Sequence, residues 1–161
     1  MVEVERHSDS AGLIVVVRGE IDGEVALASV IGNLPLEARI DTEGIGRMNS
    51  QGLRQWISYF QRHSEAGGRI TYLHCSPAFT NHVSMIVSYC RGSQVESVIG
   101  PFFCPSCGTR LEKLIQTSSG LSSLKEQLKA QKCPKCGQEA QFDEVPQEYF
   151  SFLGAPAQEK G

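Results

Sequence analysis

The sequence predicts an α/β protein: a mixed β-sheet packed with α-helices, followed by a small cysteine-rich unit. Three observations carry that reading. Short apolar runs at strand period alternate with longer stretches whose apolar residues recur at helical period, the layout of helices on a sheet. Charge usage changes near Gly100: residues 1–100 hold eight arginines, no lysine and eleven acids, whereas Cys104 to Gln138 hold six basic residues against two acids. Within that second stretch, Cys104-Pro-Ser-Cys107-Gly and Cys133-Pro-Lys-Cys136-Gly repeat one pattern. The expected domains are therefore 1–100 and 101–154, with a disordered tail over 155–161. A chain of 161 residues is long enough for one full domain and such an appendage.

Taken in order, Val2 to Arg6 alternates apolar and polar residues, as a half-buried strand does. His7 to Gly12 reads as a hairpin loop, and the β-branched run Leu13 to Arg18 as a central strand. Asp22 is placed to cap a helix, with Glu24 in its first turn and Leu27, Val30, Ile31 and Leu34 as its buried stripe. Ala38 to Asp41 is a short strand ending on a carboxylate. Gly44 and Gly46 then break the pattern into a loop, and Asn49 or Ser50 can cap the helix that follows. In that helix Leu53, Trp56, Ile57 and Phe60 fall on one apolar stripe, and Gly67-Gly68 closes it. Arg69 to Leu73 is a strand. Ser76-Pro77 opens a helix with Phe79, Val83, Ile86, Val87 and Cys90 on its inner face. Val95 to Ile99 is expected as the last strand of the first unit.

The stretch from Asp41 through Asn49-Ser50-Gln51-Gly52-Leu53 resembles the signature of the sulfate-transporter and anti-sigma-factor-antagonist (STAS) domain. In that family a hydrophobic strand ends in Asp, and a loop leads to Asp-Ser-Ser-Gly-hydrophobic at a helix start. Gly19-Glu20-Ile21-Asp22 also resembles the family's second strand end, and the resemblance covers about residues 2–100. It implies a STAS-like fold and a protein partner, such as a kinase-like anti-sigma factor or another bacterial signalling assembly. In the anti-sigma antagonists the serine directly before the glycine is phosphorylated. Here that position is Gln51, and the family's Asp is Asn49. Ser50 matches the first serine and is a candidate phosphorylation site, with its capping role as the plainer reading. The residues expected to meet the partner are Arg47, Asn49, Ser50, Gln51, Gly52 and Leu53.

The paired cysteine motifs carry the most specific chemistry. Each places two thiolates on a tight turn, and two turns supply four thiolates, a full tetrahedral shell for Zn²⁺. Cys104, Cys107, Cys133 and Cys136 are thus expected to hold one structural zinc, resembling zinc-ribbon knuckles. The long spacing from Cys107 to Cys133 is expected to be absorbed by a helix carrying Leu121, Leu124 and Leu128. A redox pair or simple disulfides are the competing readings. Lys125, Lys129 and Lys132 sit at helical spacing beside Lys135, so a nucleic-acid-associated regulator is the alternative function. No base-stacking aromatic accompanies them, and a solvated helix face explains them as well.

Cys75 and Cys90 sit in apolar patterns and read as core. His74 beside Cys75 invites a nucleophile reading, but neighbouring residues of a strand point to opposite faces and no third catalytic member is evident. The expectation is a non-enzymatic interaction protein. Its polar, acidic first residues are unlike a signal peptide, and its apolar runs are too short for a membrane span, so a cytoplasmic location is expected. Tyr149 to Leu153 is apolar enough to dock back on the protein.

Overall fold

The computed structural model describes residues 2–118 and 120–153. Strand β1 (Val2–Asp9) and strand β2 (Gly12–Ile21) form an antiparallel hairpin with Asp9 opposite Gly12. The expected loop is thus shorter and the strands longer, because Asp9 Oδ1 accepts from the Ala11 amide and tightens the turn. Helix α1 is a single turn, Leu27–Val30, with no side-chain cap. Asp22 accepts from the Glu24 amide instead of capping it. Leu27 and Ile31 are nevertheless buried, as the stripe required.

Strand β3 (Glu37–Asp41) lies parallel to β2, and strand β4 (Ile45–Met48) pairs with β2 at Gly19 to Ile21. Helix α2 (Ser50–Glu65) buries Leu53, Trp56 and Phe60. Strand β5 (Arg69–Leu73) coincides with its expected span and runs parallel to β3. Helix α3 (Pro77–Tyr89) starts where Ser76 accepts from the Phe79 amide. Strand β6 (Gln94–Val95) completes the first sheet, ordered β1-β2-β3-β5-β6 with β4 against β2. Between sheet and helices, Trp56, Phe60, Tyr72 and Phe79 form a fully buried aromatic group, and the Trp56 indole donates to the Tyr72 hydroxyl at 3.0 Å.

A second, antiparallel sheet follows. It contains strands β7 (Ser97–Phe103), β8 (Arg110–Gln116), β9 (Gln131–Lys132) and β10 (Glu139–Phe142), in the order β8-β7-β10-β9. Helix α4 (Leu121–Gln127) joins β8 to β9, and α5 (Pro146–Tyr149) follows β10. The boundary expected near Gly100 falls inside β7. At its start β7 still bonds to the first unit: the Cys75 amide donates to Ser97 O at 3.1 Å and the Ile99 amide to Cys75 O at 2.8 Å. Tyr149, Phe150 and Phe152 dock back as expected, the Tyr149 hydroxyl donating to Ile99 O at 2.7 Å. The two sheets therefore share one hydrophobic core. The tail expected to be disordered, 155–161, lies outside the described residues. No described helix is long and apolar enough to cross a membrane.

Candidate metal centre and docking rim

The two cysteine motifs fold into the same turn. In the first, which links β7 to β8, the Cys104 amide donates to Thr109 O and the Gly108 amide to Cys104 O. In the second, which links β9 to β10, the Cys133 amide donates to Gln138 O and the Gly137 amide to Cys133 O. Gly108 and Gly137 have φ of +77° and +79°, the left-handed conformation that favours glycine at the end of each motif. The turns face each other. Cys104 and Cys136 Sγ atoms lie 3.5 Å apart, and those of Cys107 and Cys133 3.7 Å. All four sulfurs lie within 4.8 Å of one another.

Those separations speak against the disulfide reading. A disulfide needs sulfurs about 2.05 Å apart, so these cysteines are unlinked. Four sulfurs around a tetrahedral ion with bonds of about 2.3 Å sit about 3.8 Å from one another. The observed set fits a metal, and a soft all-thiolate shell leaves no position for substrate. Hydrogen bonds from the side chain and amide of Thr109 bring the Cys107 thiol down to about 6. The Cys133 thiol is lowered as well, chiefly by the Cys136 amide. Cys136 goes the other way: the Gln138 amide lowers it, but desolvation and the neighbouring sulfurs outweigh that and push it up to about 12. Without a cation the group thus resists losing its last protons, and a divalent ion removes that repulsion. The insert between the motifs is β8 with α4, of which the sequence pattern showed only the helix.

Cys75 and Cys90 are buried in the core, where desolvation pushes their thiols up to about 12 and about 11. Both stay protonated and unreactive near neutral pH. The expected alkylation pattern is therefore graded. The four clustered cysteines react once a chelator is added, and Cys75 and Cys90 only after denaturation. Counting adducts by intact-mass spectrometry checks this, and rapid native labelling of Cys75 would contradict it.

The second site is the start of α2. Asn49, not Ser50, is its cap: Asn49 Oδ1 accepts from the Gly52 amide at 2.8 Å. Ser50 is freed to be the first helical residue, exposed to solvent. Arg47, Asn49, Ser50 and Gln51 are all exposed, whereas Gly52 and Leu53 are buried and serve the fold rather than a surface. Gly52 is wedged so tightly on the end of β2 that an added Cβ would fall 1.8 Å from Ile21 O. Gln51 in turn packs over Gly23. The result is a recess of about 220 Å³ lined by Glu20, Asp22, Glu24, Arg47, Asn49 and Gln51.

No family model and no curated protein matches this chain. What remains is the chemistry of the side chains. The rim offers one cation, Arg47, among three carboxylates, so it favours a positively charged contact. The three acids were not singled out as part of this site in the sequence, because they arrive from the end of β2, some 25 residues before the loop they flank. The lysines do not form the stripe that the alternative reading requires. Lys125 lies on α4, but the helix ends before Lys129, and Lys132 is on β9. Lys129 pairs with Glu126 at 2.9 Å.

Proposed function

We propose that the chain is a non-enzymatic protein-interaction module of the STAS-like kind, with a structural zinc ion held by Cys104, Cys107, Cys133 and Cys136. The observation that carries the docking role is the seated start of α2. Asn49 caps it, Gly52 locks it on β2, and Arg47 and Gln51 stand exposed in the lining of a preformed acidic recess, with Ser50 exposed between Asn49 and Gln51. A rim held by backbone contact loses little conformational freedom when it binds, which favours recognition. The resemblance to anti-sigma-factor antagonists makes a bacterial signalling protein the partner class, and the recess favours a partner presenting a basic segment. Gln51 at the family's acceptor position makes the contact constitutive rather than switched there. Ser50, exposed at the positive end of α2, is the one rim hydroxyl a kinase could modify with support from the helix dipole.

Site-specific photo-crosslinking in native extract tests the reading. A photoreactive residue in place of Gln51 is expected to give one discrete protein adduct, and the same residue in place of Tyr89, exposed on α3, to give none. Equal labelling from both positions would mean that the rim is not the interface.

The alternative, nucleic-acid binding through the second sheet, is weakened by the scattered lysines. The Lys113 ammonium is also engaged, donating to Gln127 O at 3.0 Å. A fluorescence titration against mixed oligonucleotides is expected to show weak binding that falls steeply with salt. Submicromolar, sequence-selective binding near physiological salt would reverse the ranking.

A further inference from the structure

A second group of metal-ligating side chains lies away from the cysteines. Asp41 ends β3, Glu43 follows in the next turn, and His74 leaves the end of β5, the parallel neighbour of β3. Their ligand atoms lie within 4.8 Å of one another. All three thus gather at the carboxyl ends of two adjacent parallel strands, where strand ends and the loops that leave them can line a crevice. Such a crevice exists here: a cavity of about 350 Å³ lined by Glu43, His74, Ile99, Glu112, Lys113 and Leu114. The second sheet thus closes over the strand ends of the first and contributes another carboxylate, Glu112.

We propose that Asp41, Glu43 and His74 form a second cation site, selective for a divalent first-row transition ion, opening into the cavity between the two sheets. The geometry of the His74–Asp41 pair fits. His74 Nδ1 and Asp41 Oδ2 lie 2.9 Å apart. Donors at adjacent corners of an octahedral site with bonds of about 2.1 Å are about 3 Å apart. A hydrogen bond therefore holds in place what an ion would bridge, with the imidazole proton as its stand-in. Asp41 Oδ1 accepts from the Glu43 amide at 3.0 Å, which fixes the carboxylate and sets Glu43 beside it. His74 is fixed from its own backbone, whose amide donates to Ser97 Oγ at 2.9 Å. Among the described residues neither Glu43 nor Glu112 has a cationic partner within ion-pair distance.

The donor set distinguishes the ion class. Two carboxylates and one imidazole suit Mn²⁺, Fe²⁺, Co²⁺ or Zn²⁺, whereas the four thiolates select a softer ion. Three protein ligands leave coordination positions open toward the cavity, unlike the closed cysteine shell.

Mn²⁺ is the probe, because it avoids thiolates. The whole chain, with zinc retained at the cysteines, is titrated with Mn²⁺ while the free ion is followed by electron paramagnetic resonance. One Mn²⁺ per chain is expected to bind. Glu43→Gln, His74→Gln and Asp41→Asn are each expected to weaken it at least tenfold. Glu43 is exposed, so its substitution leaves folding intact, and circular dichroism with zinc content verifies this for all three. Absence of binding up to millimolar Mn²⁺, or one-to-one binding unchanged in the three variants, would overturn the site. The measurement uses no partner, so its outcome is independent of the docking role.

Discussion

Cys104→Ser is expected to release the zinc and disorder the end of the second sheet while the first sheet stays folded. The residues around the motifs bury little of their own: 105–108 and 134–138 are exposed or nearly so, and only Cys104 and Cys133 are deeply buried. Apolar contact does little to order those turns, so beyond their backbone hydrogen bonds a bound ion would be their main tie to one another. Binding of structural zinc by four such thiolates is worth on the order of 10 kcal/mol. That is comparable with the whole stability of an ordinary domain, about 5–15 kcal/mol. The loss should not spread evenly. The β7–β8 pairing is backed by Phe102, Ile115 and Tyr149 in the shared core, whereas β9 is two residues long and, among the described residues, pairs only with β10. Amide signals from 104–109 and 131–139 are therefore expected to broaden or vanish, with the Trp56 fluorescence of the first sheet unchanged. Exposed Cys136 replaced by serine should give the same pattern. Retention of native spectra and stability after loss of the metal would show that the ion is incidental.

Gly52→Ala is expected to be the most damaging single change in the first unit. An added methyl would meet Ile21 O at 1.8 Å, Ile21 C at 2.4 Å and Asp22 N at 3.0 Å. All three are backbone atoms, so no side-chain rotation relieves the clash. Either α2 lifts from β2 or the strand end moves, and both disturb the buried contacts of Leu53 and Trp56. Overpacking typically costs about 1–3 kcal/mol, and a backbone clash belongs at the upper end or beyond. With urea slopes of about 1–3 kcal/mol per molar for domains of this kind, the unfolding midpoint should drop by about 1 M or more. Gly46→Ala is the control, because nothing lies within 4 Å of a Cβ there. Equal midpoints for the two variants would mean that the α2 start is not wedged on β2.

Much of the start of α2 was legible because its signals are local. The Asn49 cap, the glycine and the Leu53–Phe60 stripe all fall within four turns of one helix, where period and capping preference act directly. Ser76-Pro77 and the span of β5 were legible for the same reason. The cysteine turns were legible because their chemistry is written at fixed spacing.

The misses have physical causes too. In β4 the buried residues Ile45 and Met48 are three apart, so strand alternation is absent, and its pairing on β2 shifts register between Gly19 and Glu20. The charge change near Gly100 lies close to the change of sheet, which comes between β6 and β7, but inside β7 itself. β7 runs through it without a break, from Ser97 to Phe103. His74 was read as part of a strand that would turn it away from its neighbours. Its φ of +51° instead takes it out of β5 toward Asp41, a contact 33 residues apart that no local pattern encodes. The helix expected after Asp22 does not start there because Gly23, at φ +90°, is outside the helical conformation.

The docking role is tested most directly by isothermal titration calorimetry with the protein recovered from the Gln51 crosslink. Wild type is compared with Gln51→Arg, which places a second cation in the acidic recess and halves its net negative charge, and with Met85→Arg, a change at an exposed position on α3. The expected result is at least a tenfold loss of affinity for Gln51→Arg, about 1.4 kcal/mol, with Met85→Arg binding as wild type does. Undiminished binding by folded Gln51→Arg, or an equal loss in Met85→Arg, would contradict a partner site at the start of α2.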